Sequence, residues 1–225
     1  MKTGSVIQSN YIPWVGYFSI INDCDLFVLY EDVQYTKNDW RNRNRICING
    51  KFTWLTIPVH HMSLNQRFTE VEIIDSNWTR KHFETIRHAL SAEKNWKKNS
   101  EELYFLYKTA SELHKLCDVN RLFFRWIIEK LNINTEILYL DYYPKFEDPT
   151  ERLISILTEK KVGEYISGPA AKAYLRQEKF SSRGIDLVFY DYTNSLKKYG
   201  LDQFECVQAS VLQLIIKGDF HGFNN

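Results

Sequence analysis

The sequence predicts an α/β fold: a mostly parallel sheet with helices on both faces, an antiparallel hairpin and a helical insertion. Three observations predict it. Short apolar runs alternate with helical periodicity near both ends of the chain, the pattern of βαβ units. An Asn49-Gly50 pair sits between two strand-like runs, and a two-residue hairpin turn favours that pair because both positions need positive φ. A central stretch carries apolar stripes at helical spacing.

Val6-Ile7 reads as a short buried strand. A loop from Gln8 to Ile12 follows, then Pro13, suited to a first helical position because its missing N–H is not needed there. Trp14, Phe18 and Ile21 recur at helical spacing. Residues 26–30 form a second apolar run. Residues 41–48 and 51–59 flank the hairpin turn, and residues 70–74 are a further short strand candidate. Ser76 or Asn77 can cap a helix reaching about Leu90, Ser100 a second, and Asp118 a third through Leu131. Residues 135–140 read as strand. Asp148-Pro149-Thr150-Glu151 combines an N-cap, a proline at the first helical position and a capping-box glutamate. Tyr165-Ile166 is a short strand, Pro169 opens a helix, residues 185–190 are strand and 207–216 helix. No linker, repeat or low-complexity tract divides the chain, so residues 1–225 are expected to form a single domain.

Composition narrows the function classes. Net charge is only +1, whereas nucleic-acid domains usually carry a strong basic excess, so no nucleic-acid partner is expected. Fourteen Tyr, fourteen Phe and six Trp favour a pocket or partner surface, since Tyr and Trp suit places with one dry and one wet end. Cys24, Cys47, Cys117 and Cys206 are scattered without a Cys-x-x-Cys pair, which disfavours structural zinc and thioredoxin-like chemistry. They read as small core residues in a reducing compartment. There is no signal-peptide pattern and no apolar run of bilayer length, so a cytoplasmic protein with no membrane partner is expected. His60-His61 point to opposite faces of a strand and no His-Glu-x-x-His occurs, so no metal site is expected.

Residues 32–45 are the most unusual stretch. Pairing across the turn sets Asn44 opposite Leu55, Arg45 opposite Trp54, Arg43 opposite Thr56 and Asn42 opposite Ile57. Neither face is cleanly apolar or polar, unlike a plain half-buried hairpin. Covered amides at Asn42 and Asn44 need partners, so they either stitch loops or read a ligand. Arg43 and Arg45 offer planar forks for carboxylate or phosphate, with cross-strand stacking on Trp54 as the simpler role; Arg41 joins them as a candidate to hold pyrophosphate. The loop after the first strand, with Gln8 and Tyr11, stands where ligands gather in open α/β sheets. Core packing is the plainer role for Tyr11 and Trp14. Ser167-Gly168-Pro169 repeats a strand, tight turn and helix start, where backbone can meet an anion. No Gly-x-Gly-x-x-Gly, Walker or Gly-x-Ser-x-Gly pattern is present. Trp78, His82 and Ile86 share a helical stripe, so His82 borders the buried face and can serve as a base near neutrality. Asp32 and Asp39 follow the second strand and can orient it or rival it.

The chain resembles the WbqC-like protein family. The resemblance rests on residues 8–18 (Gln8-Ser9-Asn10-Tyr11-Ile12-Pro13-Trp14 onward), on Asp32-Val33-Gln34-Tyr35, and on Trp40-Arg41-Asn42-Arg43-Asn44-Arg45-Ile46. It continues through Trp54-Leu55-Thr56-Ile57-Pro58-Val59, Trp78 with Lys81-His82, and Tyr165-Ile166-Ser167-Gly168-Pro169. Gln8-Ser9-Asn10-Tyr11 departs from the Gln-Pro-x-Tyr form common in relatives. The resemblance implies a Rossmann-like sheet and a role in bacterial surface polysaccharide (O-antigen) biosynthesis. That role is amide formation on a nucleotide-linked amino sugar by an N-acyl- or aminoacyltransferase. The acyl donor is expected to be a thioester, on the phosphopantetheine of an acyl or peptidyl carrier protein or on CoA, with no tightly bound cofactor.

On this reading His82, Asp32, Asp39 and Asn42 carry the proton transfer and oxyanion. Gln8, Tyr11, Gln34, Tyr35, Trp40, Arg41, Arg43, Asn44, Arg45, Ser167 and Gly168 hold the substrate. Two rivals remain: a nucleotide-using Rossmann-like transferase or ligase, and a non-catalytic scaffold of a polysaccharide assembly complex.

Overall fold

The alternation at the two ends of the chain folds into one parallel sheet. A computed structural model of the protein describes residues 1–63, 65–218, 220 and 222–223; the last two residues of the expected 1–225 span lie outside them. Its strands are β1 (Thr3–Gln8), β2 (Leu26–Tyr30), β3 (Arg43–Ile48), β4 (Lys51–Thr56), β5 (Glu136–Leu140), β6 (Glu164–Ser167) and β7 (Asp186–Phe189). Its helices are α1 (Val15–Asn22), α2 (Asn77–Leu90), α3 (Trp96–Ala110), α4 (Leu116–Lys130), α5 (Pro149–Glu159), α6 (Gln177–Ser181), α7 (Tyr192–Lys198) and α8 (Leu212–Lys217).

The sheet order is β5-β2-β1-β6-β7, with every neighbouring pair parallel. The first strand is central, and the chain winds outward first on one side and then on the other. That is the Rossmann-like order, with its switch point between β1 and β6. Pairing there is brief. β1 meets β6 through Thr3↔Glu164 and Gly4↔Tyr165, while it meets β2 from Gly4 to Gln8. The two central strands therefore part toward their carboxyl ends.

Each face of the sheet has its own core. Val6, Leu26, Val28, Tyr165 and Leu187 pack with Ile154 and Leu157 of α5 and Phe180 of α6. Phe27, Leu29 and Ile166 pack on the other side with Phe18 of α1 and Phe124 of α4. All five residues of β2 are buried, which is why it reads as a continuous apolar run rather than an alternating one. The insertion between β4 and β5 supplies α2, α3 and α4.

The hairpin stands apart from this sheet, and its register is the one the turn predicts, from Ile48↔Lys51 to Arg43↔Thr56. Asn49 and Gly50 take φ values of 49° and 73°, as a mirror-image two-residue turn requires. Asp148 caps α5 by accepting from the Thr150 N–H at 2.8 Å.

Several element boundaries differ from expectation. Pro13 lies outside α1, whose N-cap is Trp14. Ser100 lies inside α3 and Asp118 inside the first turn of α4, because the amphipathic stripes begin earlier than the polar residues suggest. Residues 70–74 form only bridges, Val59↔Ile73 and Glu72↔Lys115, after a 3₁₀ turn at Phe68–Glu70. Pro169 opens a 3₁₀ segment, Pro169–Ala173, and not an α-helix. The thiols also divide. Cys24 and Cys117 are buried and free, but Cys47 and Cys206 are joined as a disulfide, correcting the reading of four separate core thiols.

Candidate functional site

A recess of about 220 Å³ opens beside the carboxyl end of β1 and the start of α1, lined by Asn10, Pro13, Trp14, Tyr17, Trp40, Asn44, Arg45 and Gln208. Its position follows from topology, since ligands in open α/β sheets sit at the switch point outside the strand carboxyl ends. Its walls combine three aromatic rings and a proline with three amides and one guanidinium, a mixture of apolar lining and polar groups of the kind that small-molecule sites use.

The walls are fixed from several directions. The Tyr17 hydroxyl donates to the Gln8 carbonyl at 2.9 Å. Trp14 folds back over α1, and a side-chain carbon on Gly16 would overlap its indole; only glycine leaves that space. The Trp14 and Tyr192 rings lie 5.0 Å apart. The Asn44 amide donates to the carbonyls of Tyr11 (3.1 Å) and Ile12 (2.9 Å) and accepts from the Arg45 N–H at 2.8 Å. Ile12 sits at φ 37°, a strained conformation for a β-branched residue, and Asn44 grips the carbonyls around it. Arg45 reaches toward Gln208 at 3.4 Å, and its backbone carbonyl accepts from the Ser210 N–H at 2.8 Å. The Cys47–Cys206 disulfide joins the same two segments.

Of the residues singled out in the sequence, Trp40, Asn44 and Arg45 line this recess. Gln8, Asp39 and Arg41 meet just behind it: the Arg41 guanidinium pairs with Asp39 and donates to the Gln8 side chain. Burial pulls the Arg41 pKa down and the Asp39 carboxylate pulls it back up. Arg41 is thus a buried strut from β1 to the hairpin approach, not a free pyrophosphate clamp. Tyr35 is buried near it, its hydroxyl lacks a partner, and burial pushes its pKa up to about 12. Arg43 stacks 4.4 Å from the Trp54 ring centroid on the outer face of the hairpin. Gln34 is exposed and bridges to Arg67.

Other expected residues are placed differently. His82 is buried; its Nδ1 lies 3.0 Å from the Tyr11 hydroxyl and its Nε2 3.2 Å from the Thr56 carbonyl. Both ring nitrogens are engaged, and burial drives the imidazole pKa down to about 4. The expectation of a neutral-pH base is corrected: desolvation keeps this histidine uncharged inside the core. Tyr11 is fully buried and its hydroxyl also contacts that of Tyr107 at 2.8 Å, so it offers no stacking face. Asp32 pairs with Arg152 at 2.5 Å, faces Arg67 at 3.7 Å and accepts from the Tyr143 N–H at 2.9 Å; it orients two arginines rather than an imidazole. Asn42 spends its amide on the Ile57 carbonyl at 3.0 Å, leaving its own Oδ1 without a partner. Ser167 ends β6 and Gly168 caps the 3₁₀ segment after it, across the switch point and outside the recess lining.

Asn10, Pro13, Trp14, Tyr17 and Gln208 complete the lining but were not singled out as site residues. The first three lie in the flagged β1–α1 loop. Gln208 comes from the segment before α8 and carries no local signal. Beyond this recess, a more open and charged groove lies between Lys115, Asp118, Arg121 and Asp141. Behind it, buried Glu31 pairs with Arg121 at 2.6 Å, and burial raises the Glu31 pKa. Among the described residues, no helix is long and apolar enough to cross a membrane.

The fold is a Rossmann-like α/β sheet, and a recess lined by aromatic rings and amides lies beside the carboxyl end of its first strand. The chain belongs to the WbqC-like protein family, whose model matches residues 8–214, a span that includes every lining residue of the recess. It is also similar to the uncharacterized protein Rv1507c of Mycobacterium tuberculosis, with 34% identity over 194 residues, covering 85% of this chain and 83% of that one. No solved structure matches it.

Proposed function

We propose that this protein is a transferase that holds a nucleotide-linked amino sugar at the carboxyl end of β1 and forms an amide on its nitrogen. The acyl group comes from a thioester of a carrier protein or CoA, and the product serves surface polysaccharide synthesis. One observation supports the substrate class above others: the recess at the switch point, where Trp14 and Trp40 offer apolar faces and Asn10, Asn44, Arg45 and Gln208 line the same space. Aromatic rings and amides together suit a sugar ring, and a guanidinium suits the adjoining phosphate. The amine attacks the thioester carbonyl, the C–N bond forms, the C–S bond breaks, and the nitrogen's proton passes through a carboxylate to the departing thiolate, which leaves as the thiol. Asp39 is the carboxylate beside the recess, accepting from the Trp40 N–H at 2.6 Å while paired with Arg41. It replaces His82 as the proton acceptor of this reading.

The test is direct. The protein is incubated with amino-sugar nucleotides and acyl thioesters, and products are resolved by mass spectrometry. Acylated sugar nucleotide is expected, with turnover reduced at least tenfold in Arg45→Ala and Trp40→Ala. Absence of product and of any sugar-nucleotide binding would overturn the reading.

The strand order favours a second reading, a nucleotide-using transferase or ligase, because this order recurs in nucleotide-binding sheets. Magnesium-dependent binding of ATP or CTP, with pyrophosphate release, would establish it in place of the first.

A further inference from the structure

The outer face of the hairpin holds a second arrangement that the recess does not use up. Trp40, Phe52 and Trp54 are 43%, 41% and 45% exposed. The Arg43 guanidinium lies 4.4 Å over the Trp54 ring and that of Arg45 3.9 Å over Phe52, while the Trp40 and Trp54 rings are 5.6 Å apart. Single exposed apolar residues are ordinary, but contiguous ones mark contact surfaces. Among the described residues, the arginine ion pairs involve neither Arg43 nor Arg45. Their charge is therefore uncompensated by a carboxylate, on a face that also presents rings.

This platform and the recess are continuous, because Trp40 and Arg45 belong to both. Size then matters. The recess encloses about 220 Å³, below the roughly 300–1,000 Å³ of pockets that enclose whole drug-sized ligands. It is suited to a sugar ring but not to an entire sugar nucleotide. The remainder of such a ligand must leave across a neighbouring surface, and the shared residues point to the hairpin. Aromatic rings interleaved with guanidinium groups match the two parts left over, a planar base and a diphosphate.

We infer that the outer face of the hairpin is a nucleobase subsite: Trp54 and Trp40 stack the base, and Arg43 and Arg45 meet the diphosphate of a nucleoside diphosphate whose sugar occupies the recess. This rests on the sugar-nucleotide reading above and names the residues that select its nucleotide half.

Calorimetric titration of the full chain with UDP-, dTDP- and GDP-linked sugars, and with the matching free sugar 1-phosphates, tests it. Trp54→Ala is expected to weaken the best sugar nucleotide about tenfold while leaving the sugar 1-phosphate unchanged, and Trp54→Phe to restore most of the loss. Trp54 is exposed, so its removal does not open the core. Equal affinity of Trp54→Ala for a sugar nucleotide that the native protein binds would overturn this subsite and leave the broader reading standing. Binding of a single-stranded oligouridylate in preference to every mononucleotide would overturn it in favour of a nucleic-acid surface. No binding of any sugar nucleotide would sink both.

Discussion

The hydroxyl of Tyr11 lies 3.0 Å from Nδ1 of His82, and the far nitrogen of the same ring lies 3.2 Å from the carbonyl oxygen of Thr56. In the neutral ring one proton arrangement satisfies both contacts: Nε2–H donates to Thr56, and Nδ1 accepts from Tyr11. A neutral imidazole thus ties the β1–α1 loop, α2 and β4 together, and burial disfavours its charged form.

That relationship sets a pH dependence. His82 has its pKa lowered from 6.5 to about 4. Its contribution is present above pH 6.5, where both folded and unfolded forms are neutral, and is lost as pH falls toward 4, where the unfolded chain takes up a proton first. The loss between pH 7 and pH 5 is on the order of 2 kcal/mol. Urea denaturation at the two values is expected to show it, and His82→Phe to flatten that segment of the profile.

Asn44 saturates its amide on backbone, so Asn44→Ala leaves the Tyr11 and Ile12 carbonyls without their donor. A stability loss of about 1–3 kcal/mol is expected, with weaker ligand binding because the recess floor loosens. Thermal melts and calorimetry measure the two effects. A variant of native stability would show that water replaces the amide.

Asp32 is buried between Arg152 and Arg67. Removing its carboxylate leaves the partly accessible Arg152 and the Tyr143 N–H without their acceptor, so Asp32→Ala is expected to cost about 1–3 kcal/mol. Asp32→Ala with Arg152→Met should recover part of it. Full recovery by Arg152→Met is not expected, since the Tyr143 N–H also loses its acceptor.

Gly16→Ala places a methyl group where the Trp14 indole lies. The ring must swing away, and with it one wall of the recess. A shift in tryptophan emission and a loss of ligand affinity are expected together, with helix content by circular dichroism unchanged.

Thiol counting checks the disulfide. The unfolded, unreduced chain is expected to take two alkyl groups, on Cys24 and Cys117, and four after reduction. Mass spectrometry reads the difference.

Much of the fold was legible because its signals are local. The Asn49-Gly50 turn specified the hairpin register, and Asp148-Pro149 marked the start of α5 at the right residue. The start of α3 was not legible at Ser100, because its first turn presents Trp96, Lys97 and Lys98 and no capping side chain. The candidate site was legible where one segment supplies it, as with Trp40, Asn44 and Arg45. It was not legible at Gln208, which arrives from the far end of the chain. The environment of His82 was not legible for a similar reason. Its stripe showed that it borders the buried face, but the partners that neutralise it, Tyr11 and Thr56, lie in other elements.

The hairpin forms no ladder with the five-strand sheet. Side chains on its outward face can therefore be exchanged without breaking a single main-chain bond of the parallel strands. The inward face of the hairpin stays anchored to the β1–α1 loop through Asn44, so on the reading proposed above preference is retuned at the exposed Phe52 or Trp54 without disturbing that anchor.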